Sequence, residues 1–75
     1  MNEAEIVKNT INEIVENKGL EGLKGITEST LLRDDLGFDS LDLAELTVRV
    51  EKETGIDVFA DGIVHTVGQV IKRIS

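Results

Sequence analysis

Cysteine, proline, tryptophan and tyrosine are absent from this 75-residue chain, and histidine occurs once. Without cysteine there is no disulfide framework and no thiolate metal site, so stability must come from packing of Leu, Ile and Val. The lone His65 cannot build a multi-histidine metal centre, which excludes a zinc enzyme and leaves no metal site to expect. Phe38 and Phe59 are the only aromatic residues, too few to stack bases or sugars. Basic residues are also scarce, 8 against 15 acidic ones, and the formal charge of −7 repels a phosphate backbone. That balance counts against nucleic acid as a partner and favours a basic protein surface. Met1 to Glu5 is polar and acidic, and no positively charged region leads into a long apolar run, so neither a signal peptide nor a membrane span is expected. The reading is of a cytoplasmic chain forming one domain over residues 1–75, too small to enclose a deep active site beside its own core.

What is present is helical periodicity. Ile6, Val7, Ile11, Ile14 and Val15 recur at helical spacing between about Asn2 and Asn17, and Lys18-Gly19 supplies a stop. Gly19 to Phe38 carries glycines at 19, 22 and 25, turn-forming Thr27, Ser29 and Thr30, and scattered Leu20, Leu23, Ile26, Leu31, Leu32 and Leu36. A connection of that length is usually functional or holds hidden structure, and its leucines predict that it is pinned to the core with a short helical turn near Leu31 to Leu36. Asp39 or Ser40 can cap a second helix running to about Glu53 and stopping at Thr54-Gly55, with Asp42 in the first turn favoured by the helix dipole. Ile56 to Val64 is a connection, extended over Ile56 to Phe59, and Thr66 to Ile74 returns to helical spacing with Lys72 and Arg73 in its last turn. The fold class is all-α: a small bundle of three main helices plus a short helical turn and a long first loop.

Around the second helix, at about 100° per residue, Leu43, Leu46 and Val50 form one apolar stripe suited to the bundle. Leu41, Ala44 and Val48 form another on a different side, while Asp42, Glu45, Arg49, Lys52 and Glu53 fill a charged sector. One stripe closes a core this small. The second is either covered by the Gly19 to Phe38 loop or open to a partner, and the spacing leaves both readings standing. Ser40, at the end of the second stripe, reads by itself as a helix cap. A hydrolase nucleophile would need His65 and an acid to converge on it in a chain with no pocket, so no catalytic residue is assigned. Phosphorylation is a further possibility, because a helix N-terminus favours a phosphate.

The run Asp35-Leu36-Gly37-Phe38-Asp39-Ser40-Leu41-Asp42, followed by Glu45-Leu46, resembles the prosthetic-group attachment site of acyl carrier proteins. A preceding helix, a long leucine-bearing loop and a closing Thr-Val helix extend the resemblance over essentially the whole chain. It implies a four-helix-bundle fold of that family and no enzymatic activity. It also implies that Ser40 receives 4′-phosphopantetheine from coenzyme A through a phosphopantetheinyl transferase. The arm's terminal thiol would then carry acyl groups as thioesters between biosynthetic enzymes, which supplies thiol chemistry to a chain without cysteine. Matched position by position, Asp39, Asp42, Glu45 and Glu51 fall on the family's acidic recognition set, facing basic docking patches of partner enzymes, and Leu41, Ala44 and Val48 on the apolar part of that face. Leu43, Leu46, Val50, Ile63 and Val67 are candidates for sheltering the acyl chain, each read more simply as core. The partners are expected to meet a monomer.

Two departures bear on pathway. The segment Ile56 to His65 is shorter than in fatty-acid carriers, lacks proline and has only Asp57 and Asp61 as acids, so part of the usual acidic surface is missing and the third helix shrinks toward a single turn with Phe59 inward. Arg49 and Lys52 stand among the acids of the second helix, where surface pairing, as of Arg49 with Glu45 four residues away, or a retuned partner choice would account for both bases. Both departures lean toward a specialised carrier, for polyketide or another secondary pathway, over the general fatty-acid one. A peptidyl or aminoacyl carrier is the near alternative, and a helical docking module without a prosthetic group the more distant one.

Overall fold

The three periodic segments are helices in a computed structural model that describes residues 2–19, 25–60 and 62–75. α1 spans Glu3–Asn17, and the side chain of Asn2 accepts from the Glu5 N–H at its start. Glu3 and Glu5 lie in the first turn, where the dipole favours acids, and Val7, Ile11, Ile14 and Val15 are buried. α2 spans Ser40–Thr54 and ends at Gly55 in the left-handed conformation. α3 spans Val67–Ile74, started by a capping box between Thr66 and Gln69 and carrying Lys72 and Arg73 near the negative end of its dipole. α1 packs against both α2 and α3, and the core draws Ile11 and Ile14 from α1, Leu46 and Val50 from α2, and Val67 and Val70 from α3.

The long connection is held to that core by Leu32, Leu36 and Phe38, all buried, with Ile26 partly buried against the cluster. Leu20 and Leu23, expected to help pin it, lie outside the described residues. The helical turn expected near Leu31 to Leu36 is a backbone turn that does not lengthen into a helix. The N–H groups of Asp35 and Leu36 both donate to the Leu31 carbonyl at 3.1 Å, and the Asp35 carboxylate accepts from the Leu31 N–H at 2.7 Å. Gly37 closes it at φ +70°, a value costly for any residue with a Cβ, and thereby turns Phe38 into the core and the following residues toward α2.

Backbone bonds then stitch this connection to the start of α3. Leu32 N–H donates to the His65 carbonyl, Val67 N–H to Thr30 and Gly68 N–H to Glu28, at 2.8 to 3.0 Å. Leu31 and Thr66 form an isolated antiparallel bridge, and no strand occurs among the described residues. A Cβ on Gly68 would lie 2.9 Å from the Glu28 carbonyl oxygen, so only glycine permits this approach.

Ile56 to Phe59 is not extended as expected. Asp57 starts a turn instead, its carboxylate accepting from the Phe59 N–H and its carbonyl from the Ala60 N–H. Phe59 packs partly buried against the core, and Val58 and Val64 are fully inside it. The Arg73 guanidinium donates to the carbonyls of Val58 and Gly62 at 2.8 Å each, so α3 holds a segment whose described residues form no helix of their own.

Candidate functional site

Asp39, not Ser40, caps α2. Its backbone is extended, and its carboxylate accepts from the Asp42 N–H at 3.0 Å while the Asp42 carboxylate accepts from the Asp39 N–H at 3.1 Å. Ser40 is therefore the first helical residue, exposed, with the capping work done by its neighbour. Among the described residues none hydrogen-bonds its hydroxyl. A free hydroxyl at the positive end of a helix suits a phosphoester group, which would find favourable electrostatics there.

Asp42 lies elsewhere than on an open recognition face. It is 9% exposed, and its Oδ2 accepts from Lys18 Nζ at 2.6 Å as well as from Asp39. The Lys18 hydrogen bond holds the Asp42 carboxyl below its ordinary range, against the opposing pull of burial, and Asp42 in turn raises the Lys18 ammonium. Lys18 Nζ also sits 5.8 Å from the centre of the Phe38 ring. Lys18 read in the sequence only as part of a helix stop. It is 24 positions from Asp42, so no local spacing rule joins them.

The two apolar stripes of α2 separate as the helical wheel divides them. Leu43, Leu46 and Val50 are buried, whereas Leu41 is 80% exposed, Val48 66% exposed, and Ala44 is exposed between them. The described residues of the long connection leave Leu41 and Val48 uncovered. Beside the stripe the acids are differently placed. Glu51 is exposed, while Glu45 accepts from Arg49 Nε at 2.8 Å and Arg49 Nη1 donates to Glu13 of α1 at 2.9 Å. The Glu45–Arg49 pair is the one its four-residue spacing predicts, and the reach to Glu13 is an addition that only the packing of α1 on α2 creates. Ile6, Thr10, Val48 and Arg49 help line an open cleft of about 530 Å³ between those helices.

Of the candidates for sheltering an acyl chain, Leu46, Val50 and Val67 are fully buried core and Leu43 nearly so, whereas Ile63 is 70% exposed. His65 is exposed at the entry to α3, where its N–H donates to the Gln69 side chain and its carbonyl accepts from Leu32. No helix among the described residues is long and apolar enough to cross a membrane.

Comparison with known proteins bears on this arrangement. A family described as phosphopantetheine attachment site matches residues 7–74. Among solved structures, the chain is similar to one from Mycobacterium tuberculosis provisionally assigned as an acyl carrier protein, with 33% identity and a TM-score of 0.74. The match covers 96% of this chain and 93% of that one.

Proposed function

Because the chain belongs to the acyl carrier protein family, whose members bear 4′-phosphopantetheine and are carriers rather than enzymes, we propose that Ser40 is the residue to which the arm is attached. The observation that carries this reading is the exposed Ser40 hydroxyl at the first position of α2, released by Asp39 taking the cap. In the transfer, the Ser40 oxygen forms the new bond to phosphorus and gives up its proton to the transferase, and the adenosine bisphosphate portion of coenzyme A leaves. Once in place, the arm supplies a thiol that holds acyl groups as thioesters. The chain's own part is to present that serine, keep the phosphodiester at a helix N-terminus and offer a surface to enzymes.

That surface is the outward stripe of Leu41, Ala44 and Val48 with exposed Glu51 beside it. Exposed acid pairs contribute about 0 to 1 kcal/mol each, which suits steering and brief contact rather than a lasting complex. Asp39 and Glu45 belong to the same face, though Asp39 also caps α2 and Glu45 is bonded to Arg49. Arg49 tying up Glu45 and Glu13, Lys18 tying up Asp42 and the short turn after Asp57 all reduce the acid available to partners. These features support a specialised carrier, for polyketide or another secondary pathway; that it acts as a cytoplasmic monomer is part of the same proposal and does not rest on them.

Incubation with a broad-specificity phosphopantetheinyl transferase, coenzyme A and Mg²⁺ should add the mass of one arm, and Ser40→Ala should take none. An unmodified wild-type chain after treatment with several transferases, or a modified Ser40→Ala chain, would overturn the assignment.

A further inference from the structure

The ammonium of Lys18 reaches both flanks of the Asp39-Ser40 step. On one flank it donates to Asp42 Oδ2, the same oxygen that accepts from the Asp39 N–H. On the other it lies 5.8 Å from the centre of the Phe38 ring, which is buried in the core directly before Asp39. Lys18 is itself anchored, because it is the C-terminal cap of α1 and its N–H donates to the carbonyls of Ile14 and Val15. One side chain therefore joins the end of α1 to the first turn of α2.

Two explanations compete for it. As a solvent-exposed ion pair it would matter little, but its carboxylate partner is about nine-tenths buried, and removing the cation would leave that carboxylate short of a donor. As an encounter charge it has the wrong sign, since a cation on a face that meets basic partners opposes docking and its loss should assist it. A geometric role remains. We propose that Lys18 is a positioning residue for modification of Ser40, acting through Asp42 and Phe38 to hold Asp39 and Ser40 in the geometry that a transferase engages. The proposal rests on Ser40 being the attachment residue.

Steady-state arm transfer to the full chain separates these roles, with Lys18→Ala, Lys18→Arg and Asp42→Asn compared with wild type. Lys18→Ala should lower kcat by about tenfold, as misplacing a reacting atom does, with KM unchanged or lower. Lys18→Arg, which keeps a donor and a charge, should restore kcat to within about twofold. Hydrogen exchange should show the amides of Asp39 and Asp42, which are bonded in the capping box, losing protection in Lys18→Ala while those of Leu46 to Val50 keep theirs. An unchanged kcat, a defect confined to KM, or equal defects in Lys18→Ala and Lys18→Arg would overturn the proposal. Should Lys18→Ala fail to fold, Asp42→Asn decides: it weakens the Lys18 bond while retaining an acceptor for Asp39, and a wild-type kcat in that variant also overturns the proposal. A wild-type chain that takes no arm, or a Ser40→Ala chain that does, defeats the attachment assignment instead.

Discussion

Replacing Leu41 by alanine and, separately, Leu46 by alanine should split docking from stability within a single helix. Burying a leucine side chain completely is worth about 1.5 to 3 kcal/mol, and Leu41, at 80% exposed, has given the fold little of that. A partner that covers it gains the remainder, so Leu41→Ala should weaken docking by about 1 to 2 kcal/mol, or roughly five- to thirtyfold in a binding constant. Its folding stability should change by less than about 0.5 kcal/mol. Leu46 has no exposed surface, and truncating it leaves a cavity between α1 and α2 at a cost of about 2 to 5 kcal/mol. In a domain of this size each kcal/mol is about 4 to 8 °C in Tm, so Leu46→Ala should melt at least about 8 °C below wild type. Circular dichroism melts and the KM of each variant for a phosphopantetheinyl transferase read the two effects. A Leu41→Ala chain with a wild-type KM, or one that melts as early as Leu46→Ala, would refute the division of the helix into an inward and an outward stripe.

Arg73→Ala should lower stability by about 1.5 to 3 kcal/mol, because it deprives two carbonyls, those of Val58 and Gly62, of a charged donor. Urea denaturation measures it, and an unchanged midpoint would show that the turn after Asp57 holds itself. Acid should destabilise the chain through Asp42: the Lys18 bond lowers its folded pKa from the ordinary 3.8, so the stability it contributes is present above that value and is lost as pH falls through the lower one. Asp42→Asn should flatten this limb of the stability profile, and an acid limb identical to wild type would remove Asp42 from its cause.

All three helices were legible because each carries its signal locally. Val7, Ile11 and Ile14 mark the inner face of α1, and Asn2, Asp39 and Thr66 stand where their caps are needed. The wheel also divided α2, since side-chain direction follows from helical geometry alone. It could not decide whether Leu41 and Val48 were covered, because that depends on the course of a separate segment. The choice between Asp39 and Ser40 as cap likewise turned on backbone conformation, extended at Asp39 and helical at Ser40. Asp42 fell in the charged sector of the wheel, yet it is drawn inward by Lys18 from another helix end. Arg73 reached the carbonyls of Val58 and Gly62 for the same kind of reason. Such contacts join residues far apart in the chain, and the acceptors of Arg73 are backbone oxygens, which carry no residue-specific signal.

The seam between residues 28–32 and the start of α3 has a consequence for how this scaffold tolerates alteration. Its bonds run between main-chain groups, and the side chains of Glu28 and Ser29 project into solvent. Foreign residues can therefore be grafted at those two positions without unpicking the joint, whereas any graft at Gly68 would pry the two backbones apart. A scaffold joined this way can be given a new outer vocabulary along that seam while its interior stays as it is.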